Sequence, residues 1–185
     1  DVSGKGLPAA MLAANLQGAF AAVAAGDPGL GELFRLVNDF LCERTTPEMF
    51  ATIFYGILDR SGAFTYVNAG HAVPLVARRD GAVVRLDSAN FPLGFFSGVA
   101  FEVRCVQLEL GDQVLIYSDG VTEAQNVRDE LFGEARLKML LEECVGQKSE
   151  SVCEKVVAAV RDFVGAAAQA DDLTLMVLRF GSPSD

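Results

Sequence analysis

The sequence carries one histidine in 185 residues, and its four cysteines include no C-x-x-C pair. That excludes a disulfide framework read from spacing and the paired-cysteine metal or redox motifs. Cys42, Cys105, Cys144 and Cys153 are scattered, three of them inside apolar-periodic segments where a small buried thiol is the ordinary outcome. A reducing, cytoplasmic setting is the expectation. Basic residues are few and dispersed, fifteen Lys and Arg against 25 Asp and Glu, for a net charge of -10. A nucleic-acid surface needs clustered cations to displace counterions, so none is expected. No basic segment followed by an apolar core stands near the start. The one long apolar stretch, Leu7 to Ala25, is mostly alanine and is interrupted by Asn15, Gln17 and Gly18, so neither secretion nor membrane insertion is expected. Low-complexity tracts, linkers and internal repeats are absent as well.

About half of the residues are apolar, 51%, enough at this length to bury a substantial core, with one domain over residues 1–185 as the default. Leu7 to Ala25 reads as a helix with Pro8 in its first turn and Gly26-Asp27-Pro28-Gly29 as its stop. Gly31 to Arg44 reads as an amphipathic helix, because Leu33, Phe34, Val37, Phe40 and Leu41 recur at three- and four-residue spacing. The period then changes. Phe50 to Leu58 and Ala63 to Asn68 flank the turn Asp59-Arg60-Ser61-Gly62, and Pro74 to Arg78 and Ala82 to Leu86 flank Asp80-Gly81, giving two hairpins. Phe101 to Leu108 and Val114 to Tyr117 suggest a further strand pair around Leu110-Gly111-Asp112. Helices over roughly Glu134 to Val145 and Glu150 to Val164 precede a last strand, Leu173 to Phe180. Antiparallel strands bracketed by helices imply an α+β domain whose sheets are covered by helices; alternating βαβ units are missing.

The acids then take positions. Asp1 lies in the loop DVSGKG; Asp119 follows the apolar run Val114 to Tyr117 and precedes Gly120; Asp171 and Asp172 come just before the last strand. All sit at the ends of apolar segments, where a sheet would deliver carboxylates to one rim. Carboxylates gathered without a basic partner suit a hard cation, Mg²⁺ or Mn²⁺. Taken singly, Asp119-Gly120 reads rather as a turn and Asp171-Asp172 as a solvated start of a strand. The opening loop is not a nucleotide-binding P-loop: Ser3-Gly4-Lys5-Gly6 has no second glycine at the required distance and no Ser or Thr after Lys5.

Several stretches together carry a resemblance. DVSGKGLPAAML at the start, NAGHAVPLV over 68–76, FPLGF over 91–95, LELGDQVLIYSDGVTEAQN over 108–126, LFGEARL over 131–137 and DDLTLMVLR over 171–179 resemble the PPM-type metal-dependent protein serine/threonine phosphatases. More narrowly, they look like the bacterial SpoIIE/RsbU-like branch. The resemblance implies a four-layer αββα sandwich, two packed antiparallel sheets flanked by helical pairs. It implies two Mn²⁺ or Mg²⁺ ions held by Asp1, the backbone carbonyl of Val2, Asp119 and Asp171, with catalysis through a metal-activated water that attacks phosphorus in line. It further implies hydrolysis of phosphoserine or phosphothreonine on a protein, a STAS-type anti-sigma-factor antagonist in bacterial partner switching.

Asp172 sits where that family varies between Asp and Asn, which suggests a supporting or capping role. Lys5 and Glu123 read as solvated, and His71 as a residue whose hydrogen bonds hold its loop rather than as a general acid. The first helix, small-faced through Ala13 and Gly18 and following the Asp1 loop, would suit a switching contact. Relatives carry acids and leading strands upstream of the DVSGKG stretch that have no counterpart here. The expectation is an N-terminally truncated fragment of a longer protein, with an open sheet edge that invites a homodimer or another partner and an incomplete second metal site. That departure keeps a second reading alive: a non-catalytic interaction module that retains the fold and binds a regulatory partner.

Overall fold

The computed structural model describes residues 1–46, 48–168 and 171–181. Two compact units make up the chain: residues 1–71 with 88–106, and 72–87 with 107–185. Each unit builds its own core.

The first unit opens with helices α1 (Leu7–Ala24) and α2 (Leu30–Arg44). In α2 the residues Leu33, Phe34, Val37, Asn38 and Leu41 are buried on one face, as the periodicity requires. Glu32 in its first turn and Arg44 in its last complement the helix dipole. Helix α1 is long and apolar enough to span a membrane by composition, but its Leu12 and Leu16 pack into the same cluster as Leu33, Phe34 and Val37. Ala13 and Gly18 are exposed, and among the described residues a Cβ at Gly18 would meet nothing within 4 Å. Strands β1 (Ile53–Leu58) and β2 (Ala63–Ala69) form the first hairpin, antiparallel from Ile53↔Ala69 to Leu58↔Phe64. Asp59 shapes its turn by accepting the Ser61 and Ala63 N–H groups at 2.8 and 3.0 Å. Behind β2 in the sheet comes β5 (Arg104–Gln107), giving the order β1-β2-β5.

The second unit contains β3 (Leu75–Ala77), β4 (Val83–Arg85), β6 (Gln113–Tyr117) and β7 (Leu175–Arg179), in the order β4-β3-β6-β7 and antiparallel throughout. Two helices cover this sheet, α4 (Gly133–Glu143) and α5 (Ser149–Val164). Val152, Val156 and Val160, one turn apart on α5, are buried with Leu75, Leu115, Leu137 and Leu141. A one-turn helix, α3 (Asp119–Thr122), follows β6 and was not foreseen from the sequence.

One expectation is corrected. The run before Leu110-Gly111-Asp112 and the run after it do not pair with each other: β5 joins β2 and β6 joins β3 and β7. The turn between them is tied elsewhere. Gly111 donates to the Phe180 carbonyl at 2.7 Å. The Asp112 carboxylate, 2% exposed, accepts Arg78 at 2.6 Å and the N–H groups of Glu109 and Arg79 at 2.9 and 3.1 Å. Among the cysteines only Cys144 is fully buried; Cys42 and Cys153 are half-buried, Cys105 is exposed, and all four are free thiols.

Candidate active site

The antiparallel pairing of β6 with β7 decides where two of the acids go. The register runs to Tyr117↔Leu175, so the next residues out, Ser118 and Thr174, are also neighbours. Ser118 donates its N–H to the Thr174 carbonyl at 2.9 Å, and its Oγ accepts the Thr174 N–H at 3.0 Å. The same Oγ donates to the Asp172 carbonyl at 3.0 Å. Ser118 thus stitches the segment entering Asp119 to the segment leaving Asp171-Asp172. Gly120 completes the approach: a Cβ there would stand 3.0 Å from the carbonyl carbon of Asp172, nearer still to its oxygen, and 3.6 Å from the carbonyl carbon of Asp171. Only a residue without a side chain lets these two backbones come so close.

Asp119 starts α3. Its carbonyl accepts the Glu123 N–H at 2.7 Å and the Thr122 hydroxyl at 3.3 Å, while its half-buried carboxylate has no hydrogen bond or ion pair with any described residue. Asp171 is exposed, and one of its oxygens accepts the Asp172 N–H at 2.8 Å. Asp172 contributes its backbone carbonyl to this stitching.

Asp1 belongs to the first unit. It pairs with Thr52 through two backbone bonds of 2.9 Å, one in each direction, and Ser3 donates its N–H to the Phe50 carbonyl at 2.9 Å. Val2 lies between, bridged to Ala51. In an antiparallel ladder alternate residues turn their polar groups away from the partner, and the Val2 carbonyl accepts no hydrogen bond from a described residue. Thr52 links this loop to His71, whose Nδ1 lies 3.1 Å from the Thr52 hydroxyl. His71 is itself fixed by the buried Asn68 amide, which takes its N–H at 2.8 Å and donates to its carbonyl at 3.0 Å. These are the loop-holding contacts expected of His71. Lys5 and Glu123 are exposed.

Asp119 and Asp171 are thus brought together at one end of the β6–β7 pair, and Asp1 with the Val2 carbonyl forms a separate element of the other unit. Among the described residues no group of three His, Cys, Asp or Glu side chains converges as a metal cluster. The donor types are oxygen throughout: three carboxylates, and one backbone carbonyl that accepts no hydrogen bond from a described residue. That set fits a hard divalent cation and not a thiophilic one. Ser118, Gly120 and Thr52 were not found from the sequence, since their roles depend on pairing partners more than forty residues away.

Two antiparallel sheets, each with its own helical pair, and an Asp-Gly turn registered against an Asp-Asp strand start define the class: the PP2C-type phosphatase domains. The SiaA-PP2C domain of Pseudomonas aeruginosa shares this fold, with a TM-score of 0.84 over 97% of the chain and 73% of that domain's chain at 18% identity. The crystal structure of the RsbU and RsbW domains of Rv1364c from Mycobacterium tuberculosis matches with a TM-score of 0.78 at 26% identity, covering 99% of this chain and 52% of that one. In sequence, the phosphoserine phosphatase RsbU of Bacillus subtilis is 26% identical over 184 residues, 97% of this chain and 53% of RsbU. Residues 1–181 match the Stage II sporulation protein E (SpoIIE) family, and the chain belongs to it. It spans about half or less of the length of the curated relatives it matches.

Proposed function

We propose that the chain is the catalytic domain of a metal-dependent protein serine/threonine phosphatase that hydrolyses phosphoserine or phosphothreonine on a protein substrate. The observation that carries this reading is the stitched pair of acidic segments: Ser118 and Gly120 hold the backbones carrying Asp119 and Asp171 in register, and the Asp119 carboxylate is committed to no partner among the described residues. Leaving a half-buried carboxylate unpartnered is unfavourable unless something positive completes it. Asp119 and Asp171 would hold one Mn²⁺ or Mg²⁺, and Asp1 with the Val2 carbonyl would contribute to a pair of ions. When bound, such ions supply a nucleophilic water at neutral pH and neutralise charge on the phosphoryl oxygens. The chain's own residues position: Thr52 and Ser3 fix the Asp1 loop, Asn68 and His71 brace Thr52, and Ser118 fixes the spacing of the other two acids. The exposed Lys5 lies in the same loop as Asp1 and is available to attract an anionic substrate.

The finer reading is that the phosphoprotein is a STAS-type anti-sigma-factor antagonist in a cytoplasmic partner-switching circuit, which membership of the SpoIIE family and similarity to RsbU support. Isothermal titration with Mn²⁺ tests the site. Asp119→Asn and Asp171→Asn each remove a charge and a strong oxygen ligand, and each should weaken binding at least about tenfold. Unchanged affinity in both would exclude the assignment and leave the interaction-module reading.

A further inference from the structure

An exposed aromatic cluster lies outside this site. Phe91, Phe95 and Phe96, in the loop between Asn90 and Val99, are 57%, 38% and 53% exposed. Phe91 meets Phe96 edge-on at 5.2 Å, and Phe95 stacks on Phe50 at 4.7 Å. The loop is built rather than loose. Leu93 is fully buried and exchanges backbone bonds of 2.8 and 3.0 Å with Ala51. Gly94, at φ +93°, sits where a Cβ would lie 3.0 Å from the Met49 carbonyl oxygen. Asn38, a completely buried amide on an otherwise apolar helix face, accepts the Gly94 N–H at 3.0 Å and donates to the Phe96 carbonyl at 2.8 Å. Asp39 accepts the Gly98 N–H at 2.8 Å. Polar groups from α2 are thus used to hold aromatic rings toward water, which favours binding by removing the ordering cost beforehand.

The same backbone ladder carries Asp1. Val2 bridges to Ala51 and Ala51 bridges to Leu93, both antiparallel, so the aromatic loop begins two rows, roughly 10 Å, from the Asp1 loop. We infer that Phe91, Phe95 and Phe96 form a docking platform for the protein substrate, receiving apolar side chains that flank its phosphoserine; the inference rests on the phosphatase reading above. An extended peptide advances about 3.3 Å per residue, which puts the engaged side chains about three to five positions from the phosphoserine. The exposed ring surface amounts to roughly one and a half phenylalanines, on the order of 300 Å². That is well under the ~800 Å² per partner of a stable interface and suits a substrate that must leave.

Fluorescence anisotropy on the full-length protein, without added cation, tests the platform. One phosphoserine peptide carries leucines three to five positions on both sides, and a second carries serines there. The protein should bind the leucine peptide at least about fivefold more tightly, an increment ordinary for burying a few apolar side chains. Phe91→Ser/Phe96→Ser should erase the difference, and Phe91→Leu/Phe96→Leu should keep most of it. A preference that survives the serine variant, or is absent from the unsubstituted protein, overturns the inference. So does sedimentation showing a dimer that the serine variant dissolves, which would assign the platform to a second copy. Phosphate release from a phosphoserine-bearing protein with Mn²⁺ or Mg²⁺ is scored separately: its absence in the unsubstituted protein, with either cation and with phosphothreonine as well, defeats the phosphatase reading, whatever the peptides show.

Discussion

Gly120→Ala is the smallest change that should separate the two acids. Gly120 lies in α3 with helical backbone angles, so the alanine itself suits the conformation and by propensity alone would add up to about 1 kcal/mol of stability. The new methyl, however, would meet Asp172 at 3.0 Å from its carbonyl carbon and nearer to its oxygen, where ordinary contact begins at 3.4 Å. The obstacle is backbone, pinned by the Ser118 hydroxyl and by the start of β7, so it cannot swing away as a long side chain would. Relief needs a retreat of about 1 Å along that segment, and overpacking of this kind costs about 1–3 kcal/mol. The steric term should win, giving a net loss of roughly 1–2 kcal/mol. Because the segment that retreats carries Asp171, Mn²⁺ affinity should fall about 10- to 100-fold, as for other disturbed supports of metal ligands. Thermal melting and calorimetric titration of the same preparation read both quantities. A lower melting temperature with unchanged Mn²⁺ affinity would refute the claim that this registration serves a metal site, and no change in either would refute the steric reasoning.

Gly18→Ala is the contrasting case: mid-helix, with nothing within 4 Å of the new methyl, it should raise stability by about 0.5–1 kcal/mol in urea denaturation, and a loss would mean that α1 is in closer contact than described. Asp112→Ala strips a buried carboxylate from Arg78 and from the N–H groups of Arg79 and Glu109; it should cost about 3–5 kcal/mol, and a loss under about 1 kcal/mol would show that the turn is not held there. Burial, with the Glu134 charge adding to it, pushes the Tyr117 hydroxyl up to about 12. The folded state then keeps its proton longer than the unfolded chain, so unfolding free energy should fall as pH rises from about 10 to about 12. A spectrophotometric titration should show a late-ionising tyrosine that is absent in Tyr117→Phe; ionisation of all three at ordinary pH would contradict the burial.

Where the sequence pattern alone decided an element, it was readable. The α2 stripe and the Val152-Val156-Val160 row of α5 name their own buried faces, and the Asp59–Gly62 and Asp80-Gly81 turns name their own hairpins. Leu110-Gly111-Asp112 misled because a hairpin signal is local, whereas the partner of a strand is not. Asp112 gives its carboxylate to Arg78 and the loop backbone, and β6 finds β3 and β7 through partners packed into one core, the buried pair Leu75↔Leu115 and the partly buried Val177 opposite Leu115. The candidate site divides the same way. Asp119 and Asp171 stood out as acids ending apolar runs. Ser118 and Gly120, which bring them together, look like ordinary turn residues until the register Tyr117↔Leu175 sets them against 172–174.

Phosphate release decides whether the domain is catalytic. The full-length protein, given a phosphoserine-bearing protein and Mn²⁺, should release inorganic phosphate, stop when a chelator is added, resume when the cation is restored, and lose at least about tenfold of its rate in Asp119→Asn, by the loss of one ligand to the ion. Release that continues undiminished in chelator, or no release with Mn²⁺ or Mg²⁺ from any phosphoserine or phosphothreonine substrate, would contradict the account.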